Sequence, residues 1–311
     1  MAPIITIAPT ASLYTPAQVK AYAERIGLDL DGFTPDLQNL SPTHKLDSSP
    51  EFLYDRMVIK KQGGSLCCGM NGFFMLMLRG LGYKAINVSA RQNLSPYPEP
   101  PTNFSFMGHI TTIVQLGPGD ALYLVDVAFG RNCPVRPIPL IIGSTVLGGT
   151  PEEEFRITRF IHPEAALQIH HSHLEPALDV TVGHWALNYR CSGLHNDWAL
   201  LFIFNLVELF NVPDDWVEYT HWINARPTKL YSENVFALKF FLIDGDKDKV
   251  GRYFMIGHKT YRRVGAHYAP VKEFKTERER VNILREDFGI IVSEEEIGNI
   301  SGAVALPLAL V

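Results

Sequence analysis

Two apolar runs in this chain each carry one ionisable residue, and that pairing constrains the fold more than any other feature. His109 heads the run His-Ile-Thr-Thr-Ile-Val, and Asp126 sits inside Tyr-Leu-Val-Asp-Val-Ala-Phe-Gly. β-Branched and aromatic residues favour extended structure, so both runs read as largely buried strands. A lone histidine in such a strand is ordinarily a satisfied core residue. A carboxylate is different, because removing its charge from water is costly unless a partner meets it. The simplest solution makes each ionisable group the other's partner.

A third residue turns this pair into chemistry. Cys67 follows Gly63-Gly64-Ser65 and precedes the apolar run from Phe73 to Leu81, which Gly82 closes and which predicts a buried helix. A thiol at a helix N-terminus meets unpaired N–H groups and the positive end of the dipole, both of which favour thiolate. Taken alone, Cys67 and Cys68 read more readily as buried core thiols. With a histidine and an aspartate available, Cys67 gains a nucleophile's partners. His109 would take or share the thiol proton, and Asp126 would hold the imidazole in the useful tautomer.

The surrounding pattern falls into three stretches. Residues 1–90 read as helical and carry the cysteine. Thr15-Pro16 opens a helix with apolar residues from Val19 to Ile26, and a second helical pattern covers 51–61 with Phe52, Leu53, Met57 and Ile59. Residues 91–205 read as strands and carry His109 and Asp126. Extended segments are expected at 84–90, 109–116, 121–127, 169–175, 184–189 and 199–206, with a turn at 117–120 and a Pro-rich loop at 94–101. That pattern fits an antiparallel barrel or a sandwich. Residues 206–311 read as α/β, with strands at 237–243 and 251–256 and a charged helix from Thr276 to Phe288. Thr276 and Glu279 have the spacing of a capping box, and Gly289 suits the turn that ends the helix. The class is α+β, and no repeat or low-complexity linker separates the stretches.

Charge and cysteine usage exclude several functions. The net charge of −5 provides no global basic field for nucleic acid or an anionic membrane. No window approaches the roughly 18 apolar residues of a membrane span, and Met1 to Ala11 lacks the pattern of a secretory signal. A cytoplasmic location is expected, with Cys67, Cys68, Cys133 and Cys191 reduced. No Cys-x-x-Cys pair occurs. His170-His171-Ser172-His173 would set His171 and His173 on one strand face, but no carboxylate or thiolate cluster joins them. No metal site is expected.

At the level of motifs the chain resembles the arylamine N-acetyltransferases. That family shows a Gly-Gly before its cysteine and an asparagine four residues after it, matched by Gly63-Gly64, Cys67 and Asn71. Its histidine opens an apolar strand, as His109 does, and its aspartate lies in a segment like Val125-Asp126-Val127-Ala128-Phe129-Gly130. Tyr22 to Gly27, Asp215-Trp216 to Tyr231, and Thr276 to Ile290 add weaker likenesses in the right order. Two departures stand out. Gln62 occupies a position where the family usually has arginine. One extra residue separates Gly64 from the cysteine, so counting back from Asn71 selects Cys67 and leaves Cys68 as the rival.

The resemblance implies a helical bundle, a central β-barrel and an α/β lid around a cysteine-protease-like Cys-His-Asp triad. It implies a ping-pong acyltransferase of xenobiotic metabolism, with acetyl-CoA or another short acyl-CoA as donor and an arylamine, arylhydrazine or N-hydroxyarylamine as acceptor. Phe129 and Arg131 would border the acceptor pocket, and Thr228 and Lys229 would contact coenzyme A. The long Pro-rich loop and the Gly-Gly-Ser spacing look more like fungal members. The same fold and triad also serve amide synthases that use a carrier-bound thioester, and a binding relative without activity would keep the fold. A papain-like hydrolase fits less well, since its third residue lies much further along the chain.

Overall fold

A computed structural model describes residues 7–26, 38–41, 48–95, 103–116, 121–162, 183–209, 213–225 and 234–298. The N-terminal helix α1 (Pro16–Arg25) starts as the sequence predicts. Thr15 caps it in a reciprocal capping box with Gln18, and Pro16 takes the first helical position. The helix expected over 51–61 divides in two. A short α2 (Pro50–Tyr54) runs directly into a π-helical turn (Asp55–Ile59). The central helix α3 (Cys67–Gly80) begins six residues before the apolar run that predicted it. Its first turns hold Gly69 and Gly72, which weaken a helix in isolation, so periodicity alone misses them. Tertiary packing requires them instead, because a Cβ on Gly72 would lie 3.0 Å from the Trp216 ring. Tyr14, Val19, Tyr22, Leu53, Phe73 and Met75 close into one apolar cluster around α3.

An eight-stranded antiparallel sheet follows. Its strands are β2 (Lys84–Gln92), β3 (His109–Leu116), β4 (Ala121–Val125), β5 (Ile138–Pro139), β6 (Thr145–Leu147), β7 (Glu153–Phe160), β8 (His184–Cys191) and β9 (His195–Glu208). The order is β5-β4-β3-β2-β9-β8-β7-β6, and β5 lies against β7, so the sheet curls into a nearly closed barrel. Its interior is filled by Val88, Ile113, Leu124, Phe155, Leu187 and Phe202. β3 and β4 are neighbours, with Thr112 opposite Val125, which brings the two ionisable runs together. The expected strand at 169–175, the turn at 117–120 and most of the loop at 94–101 lie outside the described residues.

A second, five-stranded sheet has the order β1-β10-β11-β12-β13. It contains β1 (Gln38–Ser41), β10 (Phe236–Ile243), β11 (Asp246–Ile256), β12 (Lys259–Val264) and β13 (His267–Glu273). β1 corrects the reading of residues 1–90 as helical. Its pairing with β10 is non-local and Gln-Asn-Leu-Ser carries no strand pattern, so only the assembled sheet specifies it. The boundaries expected at 90 and 205 fall inside β2 and β9. Helix α4 (Pro213–Ala225) lays the buried Trp216 on α3. Helix α5 (Glu277–Glu286) has the expected Thr276–Glu279 box and stops two residues short of Phe288, after which Gly289 turns the chain at φ +68°. A last short helix, α6 (Glu294–Gly298), follows. All four cysteines are free thiols. Among the described residues, no helix is long and apolar enough to cross a membrane.

Candidate active site

Cys67 is the first residue of α3. Leu66 precedes it in an extended conformation and offers no side-chain cap to the helix start. Cys67 is partly exposed, and its Sγ lies 3.6 Å from the Gly108 carbonyl, immediately before β3. The loop leading to it turns at Gly63, whose φ of +90° favours glycine. Cys68 points the other way. It is fully buried between Ser48 and Thr220, and burial, reinforced by the neighbouring Cys67, pushes its thiol up to about 12.

His109 and Asp126 meet at the barrel wall, both buried. His109 Nε2 lies 2.5 Å from Asp126 Oδ2. Burial alone would depress the imidazole. The Asp126 carboxylate outweighs it, with a smaller contribution from the Cys67 thiol, and the His109 pKa rises to about 10. The other ring nitrogen, Nδ1, is buried and left to the Cys67 thiol, whose hydrogen-bonding contribution raises the imidazole further. Asp126 lies one residue past β4 rather than in mid-strand as expected. Its Oδ1 accepts from the Ala128 amide at 2.8 Å, an Asx-type turn that lifts the chain out of the sheet.

Asn71 is the residue whose role the sequence reading did not see. Fully buried, it donates to Asp126 Oδ1 at 3.1 Å and to the Ile110 carbonyl at 2.6 Å, and it accepts from the Val127 amide at 3.0 Å. One amide thus fastens α3 to β3 and to the turn holding the carboxylate. The signal was present, since positions 67 and 71 are four apart and share a helix face. Cys133, expected only as a reduced thiol, has a contact here too; its thiol donates to the Asp126 carbonyl at 2.9 Å.

The structure gathers Cys67, His109, Asp126 and Phe129. The half-buried Phe129 ring packs edge-on against His109 with centroids 5.2 Å apart, and against Phe202 at 4.9 Å. Arg131 is not drawn into this cluster. It is exposed, and its charge acts on Tyr268 of β13. Thr228, Lys229 and the histidines at 170, 171 and 173 lie outside the described residues.

A sequence model of the N-acetyltransferase family matches residues 38–297, a span that takes in the helix bearing Cys67, the barrel and the second sheet. The chain belongs to the arylamine N-acetyltransferase family. The N-malonyltransferase FDB2 of Gibberella moniliformis is 28% identical over 261 residues, covering 81% of this chain and 72% of the relative. The arylamine N-acetyltransferase structure from Mycobacterium abscessus superposes with a TM-score of 0.67 at 18% identity, over 90% of this chain and 92% of its own. The Mycobacterium marinum enzyme, solved in complex with CoA, gives 0.63 at 19% identity over 92% and 95%. At those identities the two structures establish the fold. Membership makes this arylamine N-acetyltransferase relative an acyltransferase, which is the chemistry open to a thiol beside a buried histidine–carboxylate pair.

Proposed function

We propose that Cys67, His109 and Asp126 form a catalytic triad that passes a short acyl group from a coenzyme A thioester to an aromatic amine. One observation carries the reading: a partly exposed thiol at a helix N-terminus faces a buried imidazole whose far nitrogen is held by a carboxylate. In the first half-reaction the Cys67 thiolate attacks the thioester carbonyl, and a backbone N–H of the first turn, such as that of Cys68, receives the developing oxyanion. The bond to the coenzyme sulfur breaks, and the leaving thiolate takes its proton from His109. In the second, the amine nitrogen attacks the acyl-cysteine and gives up a proton to His109. The carbon–sulfur bond then breaks to release the amide and restore the thiolate. Asp126 keeps the ring oriented and stabilises its charged form throughout.

Phe129 stacks on the aromatic acceptor next to His109 in this reading, and Arg131 borders that pocket from the surface. Thr228 and Lys229 are assigned to the coenzyme. The donor is acetyl-CoA or another short acyl-CoA, and the name of the Gibberella relative makes malonyl-CoA the first alternative to acetyl-CoA. Four free thiols support a cytoplasmic site of action.

Intact-protein mass spectrometry with acetyl-CoA and malonyl-CoA, without amine and then with an arylamine, tests the assignment. A single acyl adduct mapping to Cys67 and discharged by the amine is expected. An adduct on Cys68 would move the nucleophile by one residue. No adduct from either donor would overturn the reading and leave a carrier-bound thioester or an inactive relative.

A further inference from the structure

On the outer side of the β2–β9 pair lies a cavity of about 150 Å³ that the acyl-transfer reading does not use. Ser89, Arg91, Met107, His184, Phe204 and Asn205 line it. A space of that size holds a small organic molecule of about six heavy atoms. Its polar lining is unusual. Ser89 is only 6% exposed, and its Oγ is buried with no hydrogen-bond partner; the Nδ1 of His184 is likewise buried and unpartnered. Orphaned buried donors of this kind are rare and call for an explanation. Ser89 and Arg91 are two apart on one strand and therefore share a face, and Arg91 spends one N–H on the Ser105 carbonyl at 3.2 Å.

Among the described residues, the groups whose charge acts on His184 are basic. His184 is held below the ordinary histidine range first by burial and then by His162, Arg91 and Arg159. Among the described residues, no carboxylate forms an ion pair with Arg91 or His184. The Arg91 guanidinium, two orphaned polar atoms and an apolar back wall together describe a receptor for an anion with a short carbon body. Met107 in the wall precedes Gly108, the residue whose carbonyl meets Cys67.

We propose that this cavity binds the carboxylate of a small organic acid through the Ser89 hydroxyl, the Arg91 guanidinium and the His184 ring. The acid is either a reactant of the transfer, carrying its carboxylate on the acyl group or on the acceptor, or a separate molecule bound beside the site. Binding needs no acyl-cysteine, so it is measurable whether or not Cys67 is the nucleophile.

Calorimetric titration of the full chain with malonate, and with its uncharged counterpart malonamide, tests the site. Malonate binds and malonamide binds at least about tenfold more weakly, as expected for hydrogen bonds to a charged group. Ser89→Ala and Arg91→Gln each weaken malonate about tenfold. Ser89→Ala removes only an unpartnered buried hydroxyl, so it keeps the test open should Arg91→Gln fail to fold. No malonate binding, equal binding of acid and amide, or unchanged affinity in the folded variants overturns the proposal. Single-turnover kinetics then locate the source. A Ser89→Ala defect confined to malonyl-CoA, with acetyl-CoA unaffected, places the carboxylate on the acyl group. A defect confined to 4-aminobenzoate, with 4-aminobenzamide unaffected, places it on the acceptor. Neither defect, with malonate binding still dependent on Ser89, identifies a separate acid. Malonate binding without acylation by any donor leaves this site standing and removes the transferase reading instead.

Discussion

At the scale of single residues, the contrast between two adjacent thiols decides what the site can do. Cys67 is partly exposed at a helix start, whereas Cys68 is sealed among Ser48, Thr220 and Ile110 and held protonated by burial. The charge on His109 has a consequence for stability that can be worked out by linkage. Its pKa rises from the ordinary value of about 6.5 in the unfolded chain to about 10 in the native state, because Asp126 favours the protonated ring. A raised folded pKa stabilises the native state fully below about pH 6.5, and the contribution disappears as pH climbs through about 10. The urea midpoint of the native protein is therefore expected to fall across that window, and that of His109→Gln to fall less. Matching slopes in the two proteins would show that the native ring is neutral. The meeting of His109 and Asp126 was legible in the sequence because burying a charge leaves so few arrangements open, whereas Cys67 was preferred to Cys68 only on its spacing from Asn71. The bond pattern of Asn71 was not, since an asparagine four residues from a cysteine fits many helices.

Among elements, the loop that delivers Cys67 is anchored by a device the motif did not foretell. The position usually occupied by arginine holds Gln62, yet an ion pair is still present, supplied from the π-helical turn. Arg56, nearly buried, reaches Glu296 of α6 at 3.3 Å and the Gly64 carbonyl at 3.4 Å, while Gln62 reaches the other Glu296 oxygen at 3.4 Å. Glu296 also accepts from the Ser293 amide and hydroxyl at 2.9 and 3.0 Å, so it is fixed from its own side as well. Glu296→Ala leaves Arg56 buried beside the loop that bears Cys67 without its carboxylate. It is expected to cost about 1–3 kcal/mol of stability and to slow Cys67 acylation about tenfold, since a displacement of 1 Å at a reacting group is worth more than that. Single-turnover acylation alongside urea unfolding would check it, and an unchanged acylation rate would show that the loop holds its shape by itself. Sequence patterns located α1, β3 and the capping box of α5 because local chemistry specifies them. They missed β1 and the first turns of α3, where partners far along the chain do the specifying.

Over the whole molecule, two sheets are joined through a buried charge cluster. Glu153 of β7 is fully buried and receives Arg252 of β11 on both oxygens, at 2.8 and 2.9 Å. Arg263 of β12 approaches at 3.3 Å, the Tyr189 hydroxyl of β8 donates at 2.9 Å, and the Gly149 amide donates at 3.1 Å. Beside the cluster the backbones nearly touch. The Val250 amide donates to the Gly149 carbonyl at 2.7 Å, and a Cβ on Gly149 would sit 2.3 Å from the Val250 oxygen. Arg252 also reaches the Cys133 carbonyl, and the Cys133 thiol holds the Asp126 carbonyl, so the cluster ends at the candidate carboxylate. A buried ion pair is weak evidence of net stability, because desolvation offsets most of its attraction. Removing one partner is another matter, and here it would strand two arginines in the interior. Glu153→Gln should therefore cost about 3–5 kcal/mol, a large share of the 5–15 kcal/mol that typically holds a native protein together. Because its partners lie on both sheets, the loss should appear as one urea transition moved to lower denaturant, with Cys67 acylation and far-UV ellipticity lost together. Two separated transitions would mean that the sheets are stable independently, and a loss below about 1 kcal/mol would mean that solvent reaches the cluster and screens it.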